Sequence, residues 1–235
     1  MTAPVVELAG VSKDYRGLRP LRIVRLDVAA GEQVAIVGLD RPAAEVLVNL
    51  ITGAILPDEG AVRLFGRDTS SIADGAEWLA TIDRVGIVSD RAVLLESLSV
   101  VQNLAVPFTL DIEPPPDSVR GRATALALEA GLPESTLERP VAELDGELRT
   151  RVRVGRALAL EPAILLLEHV SASVAPARVA AFAADLHRIA AHRQLALVAA
   201  TADRGFASAL RSRVLTHEPA SGRLTEARKR WFGRR

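Results

Sequence analysis

Three short stretches of this chain are apolar at almost every position: Gln33–Val37, residues 163–167 (Ala-Ile-Leu-Leu-Leu) and residues 195–200 (Leu-Ala-Leu-Val-Ala-Ala). A strand with one wet face alternates apolar and polar side chains. A strand without alternation needs cover on both faces, as in a parallel sheet flanked by helices. The residues after each run agree with that requirement. Gly38 closes the first, and Pro42 suits the opening of a helix that runs to about Thr52, with Gly53 as its stop. Pro176 opens a helix to about His192 after the second run, and a helix near residues 205–211 follows the third. Strands alternating with helices predict an α/β fold with a mostly parallel central sheet.

The remaining segments read differently. Residues 5–8, 22–28 and 61–65 are short alternating or β-branched runs separated by turns at Gly31-Glu32 and Pro57-Asp58-Glu59-Gly60. Residues 111–117 contain three consecutive prolines and read as a rigid surface loop, followed by helical periodicity over 119–130 and 147–160. Aromatic residues are only 3% of the chain, so the core must rest on Ala, Val, Leu and Ile. Lys+Arg and Asp+Glu each number 29, a balance that provides no global steering toward nucleic acid or acidic lipid. With no cysteine, disulfides and thiolate metal sites are excluded. Met-Thr-Ala-Pro carries neither a basic nor an apolar leader region, so no signal peptide is expected. The apolar runs are far shorter than the roughly 20 residues a membrane-spanning helix requires. A soluble, intracellular chain is therefore expected, with any membrane link through a partner. The last residues, 228–235, form a basic tail with Trp231 and Phe232.

Residues 38–53 read Gly-Leu-Asp-Arg-Pro-Ala-Ala-Glu-Val-Leu-Val-Asn-Leu-Ile-Thr-Gly. This resembles, without a gap, the Walker A loop and following helix of ABC ATPases. Further motifs follow in the family's order. Residues 85–90, Val-Gly-Ile-Val-Ser-Asp, resemble the Q-loop strand. Leu144-Asp145-Gly146-Glu147-Leu148 sits where the signature belongs, followed by Arg151-Val152 and by Gly155-Arg156-Ala157-Leu158. Residues 164–171 resemble the Walker B strand, and residues 198–203 the switch-histidine strand. Five motifs in register identify the chain as resembling the ATP-binding subunit of an ABC transporter over nearly its whole length. The fold so implied has a core of residues 1–88 and 160–235, with an N-terminal antiparallel β lobe, and a helical lobe of residues 90–157.

The same alignment implies that the chemistry has been altered. A phosphate loop works because glycine amides curl around phosphate, a lysine reaches its oxygens and a hydroxyl ligates Mg²⁺. At those positions stand Ala43, Ala44 and Glu45, within the nucleotide-facing stretch of Gly38, Asp40, Arg41 and Val46. Like charges at about 4 Å and an effective dielectric of about 20 repel by roughly 4 kcal/mol, so Glu45 opposes a triphosphate. The Walker B pair is Glu168 and His169, the Q-loop residue Asp90, the switch residue Ala202, and the D-loop aspartate Ala175. Tyr15 stands where the family stacks an aromatic on adenine. In the signature, Asp145 replaces serine and Glu147 a glycine on either side of Gly146, both adding negative charge.

The resemblance implies Mg-ATP as the family's cofactor, while these substitutions lead us to expect none here. It also implies a membrane permease and a second cassette, identical or not, as partners, with no nucleic acid, and a place on the inner face of the cell membrane. Residues 94–107 resemble the permease-adjacent segment of lipid-trafficking and lipophile-export ATPases, and Leu94, Leu95, Val100 and Val101 are expected at that contact. The leading expectation is a pseudo-ATPase scaffold or regulator. The alternatives are an unorthodox ATPase using Glu168 and His169, and a metal- or ligand-binding module. Glu45, Asp90 and Glu168 would converge as carboxylates, relieved first by Arg41 as counter-ion and second by a hard divalent cation bound without nucleotide.

Overall fold

The computed structural model describes residues 4–72 and 74–226; the basic tail lies outside the described residues. In chain order the first elements are β1 (Pro4–Lys13), β2 (Leu21–Ala29), β3 (Gln33–Val37), α1 (Arg41–Ile51), β4 (Glu59–Leu64) and β5 (Arg67–Asp68). Then come α2 (Gly75–Ile82), β6 (Val85–Val88), α3 (Val100–Ala105), α4 (Asp117–Glu129) and α5 (Gly146–Leu158). The chain continues through β7 (Ile164–Glu168), α6 (Val179–His192), β8 (Ala196–Thr201), α7 (Arg204–Ala209), β9 (Arg213–Glu218) and β10 (Arg223–Glu226).

The central sheet has the order β10-β9-β3-β8-β7-β6. All neighbours are parallel except the β9-β10 pair at one edge. A second, antiparallel sheet has the order β2-β1-β4-β5. The apolar strands divide their side chains between two cores. Val34 and Ile36 of β3, Ile164 and Leu166 of β7, and Val198 of β8 face one; Ala35, Val37, Leu165, Leu167 and Leu197 face the other. The first core is closed by the antiparallel sheet through Val6, Leu8, Leu21 and Ile23, with α1 buried between. That position explains why α1 buries Ala43, Ala44, Val46, Leu47, Val48, Leu50 and Ile51, more than one stripe of its surface. The second core is closed by helices α3 to α7, where Phe182 and Phe206 meet with ring centroids 6.3 Å apart.

Helix α3 lies in the stretch singled out for partner docking. It opens with a capping box: Ser99 accepts from the Gln102 amide, and the Gln102 side chain accepts from the Ser99 amide. Asn103, fully buried, accepts from the Leu95 N–H and donates to the carbonyls of Leu95, Leu98 and Ser99, pinning the turn before the helix.

Strand β6 reaches α5 only because Gly86 lacks a side chain. A Cβ there would lie 2.6 Å from the Ala157 carbonyl oxygen and 2.9 Å from Leu165 Cδ1. Both neighbours belong to packed elements that cannot withdraw freely. Gly86→Ala is therefore expected to destabilise the fold by about 1–3 kcal/mol, the usual cost of overpacking. A urea melt followed by circular dichroism, with the midpoint lowered and the slope retained, is the check.

Candidate functional site

The end of β3 and the start of α1 form the first part of the site. Gly38 holds φ at 96°, and a Cβ there would lie 3.0 Å from the His217 carbonyl oxygen. Asp40 is the N-cap of α1: its side chain accepts from the Ala43 N–H at 2.9 Å and its carbonyl from the Ala44 N–H at 2.9 Å. A carboxylate of the chain itself thus sits on the helix's free amides, where the macrodipole favours an anion. Ala44 is 0% exposed and Val46 nearly so; both belong to the core between the sheets and are absent from the cavity lining. A cavity of about 550 Å³ opens beside them, lined by Tyr15, Gly38, Asp40, Pro42 and His217 among others. Partial burial, then the Asp40 charge, raise the Tyr15 phenol above its ordinary pKa.

The second part is a set of charges. Arg91, the residue after the Q-loop position, donates from Nη2 to Glu168 Oε2 at 2.7 Å and from Nε to Oε1 at 3.3 Å. Its Nη1 also lies 3.3 Å from Glu45 Oε1. One guanidinium therefore joins α1 to the end of β7. The Glu168 hydrogen bond is the main reason that Arg91 holds its proton more firmly than a free arginine. Asp90 has two more distant partners, Arg41 at 3.6 Å and Arg153 at 3.7 Å. The expected counter-ion Arg41 does pair, but with Asp90; Glu45 and Glu168 belong to Arg91, which the sequence reading passed over. The sequence shows a basic residue directly after Asp90, but nothing local assigns it to Glu45 or Glu168. Among the described residues no group of His, Asp or Glu is arranged to hold a metal ion. The physical reason is that the carboxylate oxygens expected to ligate a cation face guanidinium groups instead.

His169 adopts the left-handed region at φ 47° directly after β7, is 9% exposed and donates its backbone N–H to Ala200. Its Nε2 is buried with no hydrogen-bond partner among the described residues. Ala202 is exposed at the end of β8, and Ala175 precedes the short turn Pro176–Arg178.

The signature segment has a structural explanation at each position. Asp145 is the N-cap of α5, accepting from the Leu148 N–H at 2.9 Å. A Cβ on Gly146 would lie 2.6 Å from the Ser173 carbonyl oxygen, so packing alone keeps glycine there. Glu147 is 5% exposed and held by Arg151 at 3.0 Å and Arg178 at 2.7 Å. Arg151 continues to Asp185 at 2.8 Å and to the Ala130 carbonyl. Glu147, expected to add negative charge at the signature, is thus paired with two guanidinium groups.

The expected docking residues also need correction. Leu94, Val100 and Val101 are core residues, at most 4% exposed, because α3 turns them toward the helices and sheet. Leu95 is 39% exposed, and the more exposed apolar side chains nearby are Val93 and Leu160. A shallow groove nearby is lined by Ile87, Ala92, Val106, Pro107, Arg153, Arg156, Ala157 and Leu160.

The comparisons with known proteins agree with this architecture. Residues 21–170 match the family model described as ABC transporter. The chain is 32% identical to a lipoprotein-releasing system ATP-binding protein, LolD 2, of Caulobacter vibrioides, over 86% of this chain and 89% of that one. It is 29% identical to the methionine import ATP-binding protein MetN of Brucella abortus over 91% of its own length, but spans only 57% of that relative. Among solved structures, the ADP- and Pi-bound dimer of the ATP-binding cassette MJ0796 superposes with a TM-score of 0.76 at 23% identity, covering 94% of this chain and 97% of that one. The cbiO1 structure from Clostridium perfringens superposes with a TM-score of 0.78 at 20% identity, covering 95% and 87%.

Removing the bridging guanidinium exposes what it neutralises. Arg91→Ala leaves Glu45 and Glu168 facing one another's charge, and a divalent cation is then the cheapest replacement. Thermal melting of the variant is expected to rise by about 2–4 °C in millimolar Mn²⁺ or Ca²⁺, as a ligand bound only to the native state stabilises it. The unaltered protein is expected to melt at the same temperature with and without the cation. Melting curves of both proteins in matched ionic strength are the check.

Proposed function

Because the chain belongs to the ABC transporter family, we propose that it is a cassette subunit that docks on a membrane permease and supports transport without turning over ATP itself. The observation that carries this reading is the Arg91 bridge between Glu45 and Glu168. In the family these two positions serve one Mg²⁺ held with the phosphates; here one side chain of the protein satisfies both. The residues present do not fit Mg-ATP. Asp40 occupies the Ala43 amide, so an incoming phosphate meets a carboxylate there. The lysine position, Ala44, supplies no cation and is buried. Opposing charges of this kind cost about 4 kcal/mol per close pair at an effective dielectric of about 20, roughly three orders of magnitude in affinity.

The active-ATPase alternative needs Glu168 free for metal and His169 open to water. Glu168 is held by two hydrogen bonds to Arg91, and His169 is buried, which counts against it. No helix among the described residues is long and apolar enough to cross a membrane, which fits a subunit lying at the inner face of the membrane against a permease. We take a second cassette, identical or not, as its dimer partner. The likeness of residues 94–107 to lipid-transport cassettes, together with LolD-type relatives, supports a lipid or lipophile as cargo.

Titration calorimetry with Mg-ATP and a phosphate-release assay test the reading. The expected result is no saturable heat up to millimolar nucleotide and no phosphate above background. Micromolar affinity, or turnover that His169→Ala abolishes, would overturn it.

A further inference from the structure

The loop joining β1 to β2 is built to present side chains at the cavity beside α1. The Asp14 side chain accepts from the Arg16 N–H at 2.8 Å, and Arg16 holds φ at 62°. The Tyr15 ring lies against Gly17, where a Cβ would meet Cε2 at 2.6 Å. Arg16, Leu18 and Arg19, all exposed, join the lining of the cavity. Asp40 and His217 line it too, among the apolar side chains of Pro20, Leu21, Leu39, Pro42 and Pro219. Charges of both signs therefore share one cavity without meeting. Neither Arg16 nor Arg19 forms an ion pair among the described residues, and Asp40, whose side chain takes the Ala43 N–H, forms none either. His217 adds an unspent acceptor. Its Nε2 lies 2.9 Å from the Arg22 carbonyl oxygen, which can only accept, so Nε2 carries the proton and Nδ1 of the neutral ring is left as an acceptor. That Nδ1 is buried with no partner among the described residues, on a residue only 6% exposed.

A ligand with a single charge is attracted by part of this lining and repelled by the rest. An anion meets Asp40, and a cation meets Arg16 and Arg19. A ligand that carries both charges gains at each, because a forked guanidinium suits a carboxylate and a carboxylate suits an ammonium. Its N–H groups also answer the acceptor on His217, which is costly to leave unmet. We propose that the cavity binds a small zwitterion with an apolar body, of the size of a free dipeptide. Its ammonium pairs with Asp40, its carboxylate with Arg16 or Arg19, and its apolar body covers Leu18, Pro42 and Pro219. The volume of about 550 Å³ suits a ligand of that size, whereas a single amino acid would leave much of it unfilled. The site goes beyond the docking reading and does not depend on it.

The probes are four forms of one dipeptide, Leu-Leu: both ends free, N-acetylated, C-amidated, and blocked at both ends. Their binding to the full chain is measured by titration calorimetry. The free form is expected to bind about tenfold tighter than either singly blocked form, with the doubly blocked form weakest. Asp40→Asn, which keeps a competent helix cap, should erase the advantage of the free form over the N-acetylated one. Arg16→Gln combined with Arg19→Gln should erase its advantage over the amide, with circular dichroism confirming that the variants fold. An N-acetylated or amidated form that binds as tightly as the free dipeptide would overturn the zwitterion. Absence of saturable binding by all four would overturn the site itself. Displacement of the bound dipeptide by Mg-ATP would support the site while overturning the reading of a chain that binds no nucleotide, so the two proposals fail separately.

Discussion

The strands at the centre of the molecule have no polar face, and the need to cover them twice positions everything else. Val34, Ile36, Ile164 and Leu166 look one way; Ala35, Val37, Leu165 and Leu167 look the other. One side is covered by α1 and the antiparallel sheet, the other by the helices from α3 onward. Helix α1 is therefore trapped between two sheets, and its first turn emerges at the end of β3. The end of β7, a neighbour of β8 in the same parallel sheet, comes out on the same edge. That edge is where parallel sheets gather ligand sites, and here it gathers Asp40, Glu45, Asp90 and Glu168.

Charge neutrality then decides what the edge can do. Carboxylates brought together must find protons, cations or guanidinium groups. In this molecule the solution is intramolecular throughout. Asp40 takes backbone amides, Asp90 takes Arg41 and Arg153, and Glu45 and Glu168 share Arg91. The same solution recurs at the start of α5, where Glu147 is enclosed by Arg151 and Arg178. At both places the carboxylates are met by amides or guanidinium groups of the chain itself. The exception is the cavity beside α1, where Arg16 and Arg19 stand without a carboxylate partner among the described residues.

Much of this was legible in the residues. Unbroken apolar runs marked β3, β7 and β8, and Pro42 marked the start of α1, where it sits one place further into the helix than expected. Other elements were harder to read for physical reasons. Strands β9 and β10 are short and mix Arg, Thr, His and Glu with few apolar residues, so they carry little periodicity. Helix α3 is only six residues long, and its sign was the Ser99–Gln102 capping box rather than any apolar stripe. Leu94, Val100 and Val101 looked like a contact surface because an apolar residue in a polar segment reads the same whether it meets a partner or the core.

By itself, the sequence determined the α/β class, the order of the motifs and the residue type at each. Those are local properties, carried by side-chain pattern and spacing along the chain. Only the tertiary structure decided which charges meet. Arg91 and Glu168 are 77 residues apart, Arg151 and Asp185 are 34 apart, and nothing in either neighbourhood names the other. Electrostatic partners are chosen by distance in space, and that distance exists only once the sheet has brought the loop ends together. The same holds for Gly86 and Gly146: each is indispensable because a carbonyl from a distant or neighbouring element passes within 2.6 Å of where a side chain would begin. Excluded volume of that kind leaves no mark on the sequence beyond the glycine itself.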